Sequence, residues 1–278
     1  MDKAIITVAP TGEGPTKELN PATPITPAEI AEDVFECYQA GAAIAHVHVR
    51  NDEGNPTMDT DKFIETCYRI REKCDIVINV TTSGDITAGD EIRMAHLYKI
   101  RPEMATFDCG TMNWAYEEIF ENSPPFLEKL GKVQQELGIK PEVEIFDAGM
   151  MDNALHYIKT GVLKPPVHFQ LILGSPGGMP CSVENLIFLQ RMVPEGCTWS
   201  TFGVGRHHLP ILTAGPLLGG SVRVGFEDNT YYAKGVKAKS NAQLVERAVR
   251  LAKELQREVA TSDDVREMFQ LQNHYRIK

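Results

Sequence analysis

The sequence lacks the features of a membrane or exported protein. It has no apolar run of about 18 residues, the length that a membrane-spanning helix needs. No basic segment followed by an apolar one stands near its start, where residues 1–9 run directly into a strand pattern. We therefore expect no membrane partner and a cytoplasmic location.

Cysteine pairs are also missing. None of the six cysteines forms a C-x-x-C pair, and disulfide frameworks belong to much shorter secreted chains. We expect buried, reduced thiols.

Positive charge is scarce, with 28 Lys and Arg against 38 Asp and Glu and a net charge of −10. This balance argues against a nucleic acid or an anionic membrane as the main partner. An anionic small molecule remains compatible, because a local basic pocket can form on an acidic protein.

What the sequence does contain is a repeated alternation of short β-branched runs and longer amphipathic stretches. Near-continuous apolar runs are typical of strands that are covered on both faces. The predicted strands are 4–9, 44–49, 75–81, 104–108, 142–146, 167–173, 198–202 and 221–226. The clearest predicted helices are 27–41, 59–73, 125–138, 182–192 and 241–260, with Thr26 as the N-cap of the first.

Eight strand–helix repeats predict an α/β protein of the (β/α)₈ TIM-barrel class. The length of 278 residues suits one such domain over 1–278, with a C-terminal helical tail at about 261–278. The alternative is an open doubly wound sheet, although residues 9–14 do not form the G-x-G-x-x-G fingerprint of its nucleotide-binding members.

The strongest chemical signal is the pair His46 and His48 in the second strand. Residues i and i+2 of a strand point to the same face, and neutral imidazoles suit Zn²⁺ and related metals. The alternative is two core histidines that bond to their neighbours.

A catalytic metal also needs a third ligand, and the eighth strand offers Glu227. Strand alternation predicts Arg223, Gly225 and Glu227 on one face, with Asp228 free at the strand end to act as a base. A solvated acidic loop at Glu227 and Asp228 is the alternative.

Further polar residues lie at strand ends, where barrel active sites form. Thr81 and Ser83 share one face, as do Thr106 and Asp108, and Glu144 lies among apolar residues where a carboxylate needs a partner. Arg206 follows the seventh strand and is a candidate for binding an anionic substrate. Each could instead be a structural hydrogen-bonding group.

Several segments in the same order resemble the β-keto acid cleavage enzyme family, from about Ile5 to Ala260. The matching segments are 24–27, 45–50, 102–106, 141–144, 174–179 and 225–229.

This resemblance implies a homotetrameric barrel with Zn²⁺ on His46, His48 and Glu227. It implies that a β-keto acid, 3-keto-5-aminohexanoate or a related compound, exchanges an acyl group with acetyl-CoA to give acetoacetate and a new acyl-CoA. Asp228 then acts as a base and Arg223 orients the reacting groups, while Thr81, Thr106 and Glu144 match positions near the substrate or metal.

The resemblance also implies an acidic residue after the first strand that binds a substrate ammonium group. The matching position here is Gly14, with Glu13 one place earlier. We expect the one-residue shift to turn Glu13 toward solvent, which favours neutral or bulkier β-keto acids. If the loop allows it, Glu13 instead binds a cationic substrate.

Two other functions are compatible with the residues. A metal-dependent barrel hydrolase or aldolase-type lyase would need no CoA, and a non-catalytic binder would show no turnover. Product analysis with and without acetyl-CoA separates these possibilities.

Overall fold

The computed structural model describes residues 3–272, and its centre is a closed barrel of eight parallel strands. The strands, β1 to β8, are Ile6–Val8, Ile44–Val47, Val77–Val80, Met104–Asp108, Lys140–Ile145, His168–Leu173, Thr198–Gly203 and Ser221–Val224. Because β1 pairs with both β2 and β8, the sheet has no free edge. The predicted barrel is confirmed, and the open doubly wound sheet is wrong.

Between residues 3 and 272, one helix follows each strand, and a ninth follows the barrel. The helices, α1 to α9, are Pro27–Ala40, Thr60–Lys73, Asp90–Ile100, Pro124–Leu137, Ala148–Thr160, Val183–Gln190, His208–Leu217, Asn241–Glu254 and Ser262–Phe269. Within residues 3–272, no helix is long and apolar enough to cross a bilayer.

Local sequence explains the helix ends that were predicted. At the start of α1, the Thr26 hydroxyl accepts from the Glu29 backbone N–H while the Glu29 carboxylate accepts from the backbone N–H of Thr26. Gly41 ends α1 in the left-handed region at φ 112°.

The end of the last barrel helix was predicted wrongly. The helix was expected to reach residue 260, but α8 stops at Glu254. Residues 258–260 are instead extended, since the Ala4 N–H donates to the Glu258 carbonyl at 2.7 Å and the Ala260 N–H donates to the Ala4 carbonyl at 2.9 Å. Residues 258–260 therefore pair with the segment that leads into β1 and do not continue the helix.

Helix α9 lies in the predicted tail and closes the lower end of the barrel. Its Val265 and Phe269 pack in a separate apolar cluster with Ile44 and Met104 from the strands and with Ile5, which precedes β1. Residues 273–278 of that tail lie outside the described part of the chain. The opposite end of the barrel, where the strands terminate, is therefore the open one.

In the described part of the chain, three small hairpins lie at that open end. They are Val49–Arg50 with Pro56–Thr57, Met112–Trp114 with Glu118–Phe120, and Tyr231–Ala233 with Val236–Lys237. Each lies in the connection between a strand and its helix, so all three surround the barrel mouth.

Candidate active site

The two histidines and Glu227 converge at the barrel mouth. The Nε2 atoms of His46 and His48 lie 3.4 and 3.5 Å from the same Glu227 oxygen, Oε1. The three side chains can each offer one ligand atom within 4.8 Å of the others. Two imidazole nitrogens and one carboxylate are a donor set that zinc enzymes use, with a further position left for substrate. The residues therefore fit the metal that the sequence suggested.

Glu227 reaches this position by a tight turn and not by strand alternation. Strand β8 ends at Val224, and the N–H groups of Asp228 and Asn229 both donate to the Gly225 carbonyl. Gly225 has φ 144°, and a Cβ there would lie 2.1 Å from the Ala9 carbonyl oxygen. Arg223 and Glu227 do face the same pocket, as expected, but a glycine turn after β8 brings Glu227 there and not a continued strand.

The protonation states also suit metal binding. Burial lowers the pKa of His48 to about 3, so the ring is neutral and its nitrogen is available. Burial opposes ionisation of Glu227, but the Arg223 guanidinium holds the pKa of this carboxyl well below its usual range. A neutral His48 beside an ionised Glu227 needs no proton release before a cation binds.

Arg223 bonds to three carboxylates of the site. It donates to Asp228 through Nε and Nη2 at 3.0 and 2.9 Å, to Glu144 at 3.2 Å, and also to Glu227. Its guanidinium carbon lies 4.5 Å from the centre of the Phe202 ring, and its side chain is 3% exposed. One cation therefore contacts three carboxylates of the site, and it opposes the rise in pKa that burial causes in Glu144 and Asp228.

Asp228 is not free, contrary to the expectation from sequence. Its two carboxylate oxygens form a forked pair with Arg223 because the turn after Gly225 folds it back onto β8. Burial raises the pKa of Asp228 to about 6, and nearby Glu227 adds to the rise while Arg223 opposes it. A carboxylate held in place with such a pKa is suited to proton transfer near neutral pH.

Glu13 points into the pocket, so the expectation that it faces solvent is wrong. Gly12 adopts φ 61°, and buried Arg50 fixes the turn by donating to the carbonyls of Gly12 and Pro15 at 2.9 and 3.1 Å. Burial raises the pKa of Glu13 to about 7, with Glu227 adding to the rise and the Trp114 indole opposing it. Glu13 is thus an acidic group of the pocket that forms no ion pair with Arg223.

The other predicted residues divide into two groups. The pocket is lined by Thr81, Ser83, Asp108 and Glu144, which are joined there by the residues already described. Thr106 is buried outside it and accepts from the Thr82 N–H at 3.0 Å. Arg206 is exposed on the three-residue turn Gly205–His207 and does not line the pocket. Thr106 and Arg206 therefore lie outside the pocket and do not line it.

Sequence reasoning missed the apolar wall of the pocket and the support beneath His46. The wall includes Ile86, Trp114, Phe120, Phe146 and Phe202. Below the ring, Asn79 donates to Glu142 at 2.7 Å, and Glu142 lies 3.9 Å from His46 Nδ1. Asn79 pairs in register with His46, and residues that pair in register share a face of the sheet. An alignment of the two strands would therefore have identified Asn79.

Fold and site together define a barrel enzyme with a two-histidine, one-carboxylate donor set beside a buried arginine–aspartate pair. The model of the beta-keto acid cleavage enzyme family matches residues 3–271, and the chain belongs to that family. The resemblance seen in the sequence segments and the expected enzyme class are thereby confirmed.

Characterised relatives match over nearly the whole chain. A 3-keto-5-aminohexanoate cleavage enzyme from Fusobacterium nucleatum is 47% identical over 272 residues, which cover 98% of this chain and 99% of the relative. The enzyme of that name from Acetoanaerobium sticklandii is 41% identical, with 96% and 98% covered. A 3-dehydrocarnitine:acetyl-CoA trimethylamine transferase from Rhizobium meliloti is 36% identical, with 97% of each covered.

Solved structures support the fold. The structure described as apo ObcA superposes with a TM-score of 0.81 at 21% identity, covering 90% of this chain and 66% of that chain. At this identity the likeness concerns the barrel alone.

Proposed function

We propose that this enzyme uses Zn²⁺ to cleave 3-keto-5-aminohexanoate, or a close amino-substituted analogue, by acyl exchange with acetyl-CoA. The observation that carries the proposal is the pocket itself, which combines His46, His48 and Glu227 with the separate acidic group of Glu13. Relatives that are 47% and 41% identical bear the name of this activity.

The polar residues have distinct tasks in this proposal. His46, His48 and Glu227 would hold the metal, which would supply Lewis-acid chemistry to the bound substrate. Arg223 keeps Glu227 ionised and holds Asp228 in one orientation. Thr81 and Ser83, whose hydroxyl oxygens are 3.2 Å apart, offer hydrogen bonds to substrate oxygens.

Asp228 moves the proton. The carbon between the ketone and carboxylate of a β-keto acid is acidic, and Asp228 takes one proton from it. The resulting enolate attacks the acetyl carbonyl of acetyl-CoA, a carbon–carbon bond forms, and the CoA thiolate leaves. That thiolate then attacks the original ketone carbon, and the older carbon–carbon bond breaks. Acetoacetate departs after Asp228 returns the proton, and the remaining acyl group stays on CoA.

Glu13 recognises the far end of the substrate. The amino-substituted acid carries an ammonium group two carbons beyond its ketone, away from the groups that face His46 and His48. Glu13 lies in the same pocket and has no ion pair with Arg223, so a charge-assisted hydrogen bond to this ammonium would orient the chain.

Product analysis tests the proposal. Metal-replete protein is incubated with 3-keto-5-aminohexanoate, with and without acetyl-CoA, and the products are identified by mass spectrometry. We expect acetoacetate and 3-aminobutyryl-CoA only when acetyl-CoA is present. Cleavage without acetyl-CoA would favour a lyase or hydrolase, and binding without turnover would favour a non-catalytic role.

A further inference from the structure

Cations are distributed very unevenly among the eight loops at the barrel mouth. The loops after β3, β4, β5 and β6, which are residues 81–89, 109–123, 146–147 and 174–182, contain no lysine or arginine. The second loop has only Arg50, which is 3% exposed and bonds to backbone carbonyls. The first loop has only Lys17, which pairs with Glu29. These six loops therefore present no free cation to a large anionic ligand.

The last two loops are different. Arg206 follows β7, and Lys234, Lys237 and Lys239 follow β8; we name these four residues the basic edge. All four are exposed, and none forms an ion pair with any residue between 3 and 272. The protein has a net charge of −10, whereas these four unpaired cations concentrate positive charge at one side of the barrel mouth.

The basic edge is physically joined to the pocket. Val204 and Asp228 line the pocket, and each begins a short segment that leads to the cations. The Gly205 N–H donates to the Asp228 carbonyl at 2.8 Å, so the seventh and eighth loops are fixed to each other. A ligand that leaves the pocket past Val204 and Asp228 would lie against the two loops that carry the basic edge.

Helix α8 holds this hairpin in place. The guanidinium carbon of Arg247 lies 3.4 Å from the centre of the Tyr232 ring, and Arg250 donates to the Tyr232 hydroxyl at 3.2 Å. Arg247 is 8% exposed and its Nη1 atom has no hydrogen-bond partner among the described residues. Two further cations therefore lie behind the basic edge and raise the potential there.

The pocket cannot contain a whole acetyl-CoA. Its volume of about 270 Å³ is below the ~300–1,000 Å³ typical of pockets for drug-sized ligands, and CoA is larger than most of those ligands. The thioester must reach the buried site while the nucleotide, with its three phosphate groups, stays outside. Phosphates also bind frequently after the last two strands of such barrels.

We propose that the basic edge binds the phosphates of the acetyl-CoA nucleotide and so places the thioester arm between the seventh and eighth loops. This inference rests on the proposed function, because it takes acetyl-CoA as the second substrate. The inference also assigns a role to Arg206. This exposed side chain is better placed for a phosphate outside the pocket than for the small acid inside it.

The test compares two thioesters that differ only in the nucleotide. The variant Lys234→Ala/Lys237→Ala/Lys239→Ala is assayed with acetyl-CoA and with acetyl-pantetheine, which has no phosphates. The control is Lys99→Ala/Lys132→Ala/Lys159→Ala, which removes three exposed lysines from helices outside the mouth. Both variants change the net charge equally.

We expect the ratio of kcat/KM for acetyl-CoA to kcat/KM for acetyl-pantetheine to fall about 3- to 150-fold in the basic-edge variant, from three exposed ion pairs. The loss should shrink as salt screens the contacts, and the control should keep the wild-type ratio. An unchanged ratio in the basic-edge variant, with an active wild-type enzyme, would overturn the inference and leave the proposed function intact. Wild-type protein that uses neither thioester would overturn the proposed function, and the inference would fail with it.

Discussion

Replacement of Glu13 by glutamine tests whether this carboxylate selects a cationic substrate. A carboxylate and an ammonium about 3 Å apart attract each other by roughly 5 kcal/mol at an effective dielectric constant of about 20. Loss of water from the ammonium offsets much of this energy, and about 1.5–3 kcal/mol is typical of a hydrogen bond to a charged group. Glu13→Gln should therefore lower kcat/KM for 3-keto-5-aminohexanoate by roughly 10- to 150-fold.

The pH dependence provides a second measure. Because burial raises the pKa of Glu13 to about 7, the charge is present above that pH and is lost below it. We expect KM for the amino substrate to fall as pH rises from about 6 to about 8, and Glu13→Gln should lose that dependence.

The assay compares 3-keto-5-aminohexanoate with 3-ketohexanoate, which lacks the ammonium. Glu18→Gln is the matched control, since Glu18 is an exposed residue of the same loop that does not line the pocket. A wild-type preference for the uncharged acid, or an unchanged preference in Glu13→Gln, would refute the reasoning.

Three further outcomes follow from the site. Purified protein should carry about one Zn²⁺ per chain by elemental analysis, and His46→Ala/His48→Ala should lose it; full retention would place the metal elsewhere. Asp228→Asn should keep the metal but lower kcat by about 10²–10⁴-fold, and a wild-type rate would remove Asp228 from proton transfer. Arg223→Ala should lower the free energy of unfolding in urea by about 3–5 kcal/mol, since three carboxylates, two of them buried, lose the cation that they share; unchanged stability would contradict the role of Arg223 as their common partner.

The barrel was predictable because its signals are local and repeated. Each strand appeared as a short β-branched run, and Thr26 and Gly41 bounded the first helix with ordinary capping chemistry. Helices α3, α5 and α7 were not among the predicted ranges. In α3 and α7, polar or helix-breaking residues interrupt the apolar face: Arg93 and His96 are buried in α3, and Pro216 lies inside α7. Residues that are buried through tertiary pairing give no periodic signal.

The residues of the site were also predictable where the signal is local and not where it depends on tertiary structure. His46 and His48 were recognisable because a strand places alternate side chains on one face. The approach of Glu227 to them, and of Asp228 to Arg223, depends on a glycine turn whose direction strand alternation does not encode. The direction of Glu13 likewise depends on Arg50, whose contacts lie across two loops.

The junction between the first and last strands of the barrel has a consequence for synthesis on the ribosome. The Ile5 N–H donates to the Ser221 hydroxyl, a contact that spans 216 positions of the chain, and β1 pairs with β8 in the same region. Until β8 emerges, the edge of β1 that it will cover has no partner and can pair with another nascent chain. Closure then waits longer still for α9, which covers the lower end. We therefore expect chains truncated before Ser221 to aggregate, and chaperones that shield strand edges to improve the yield of the full-length protein.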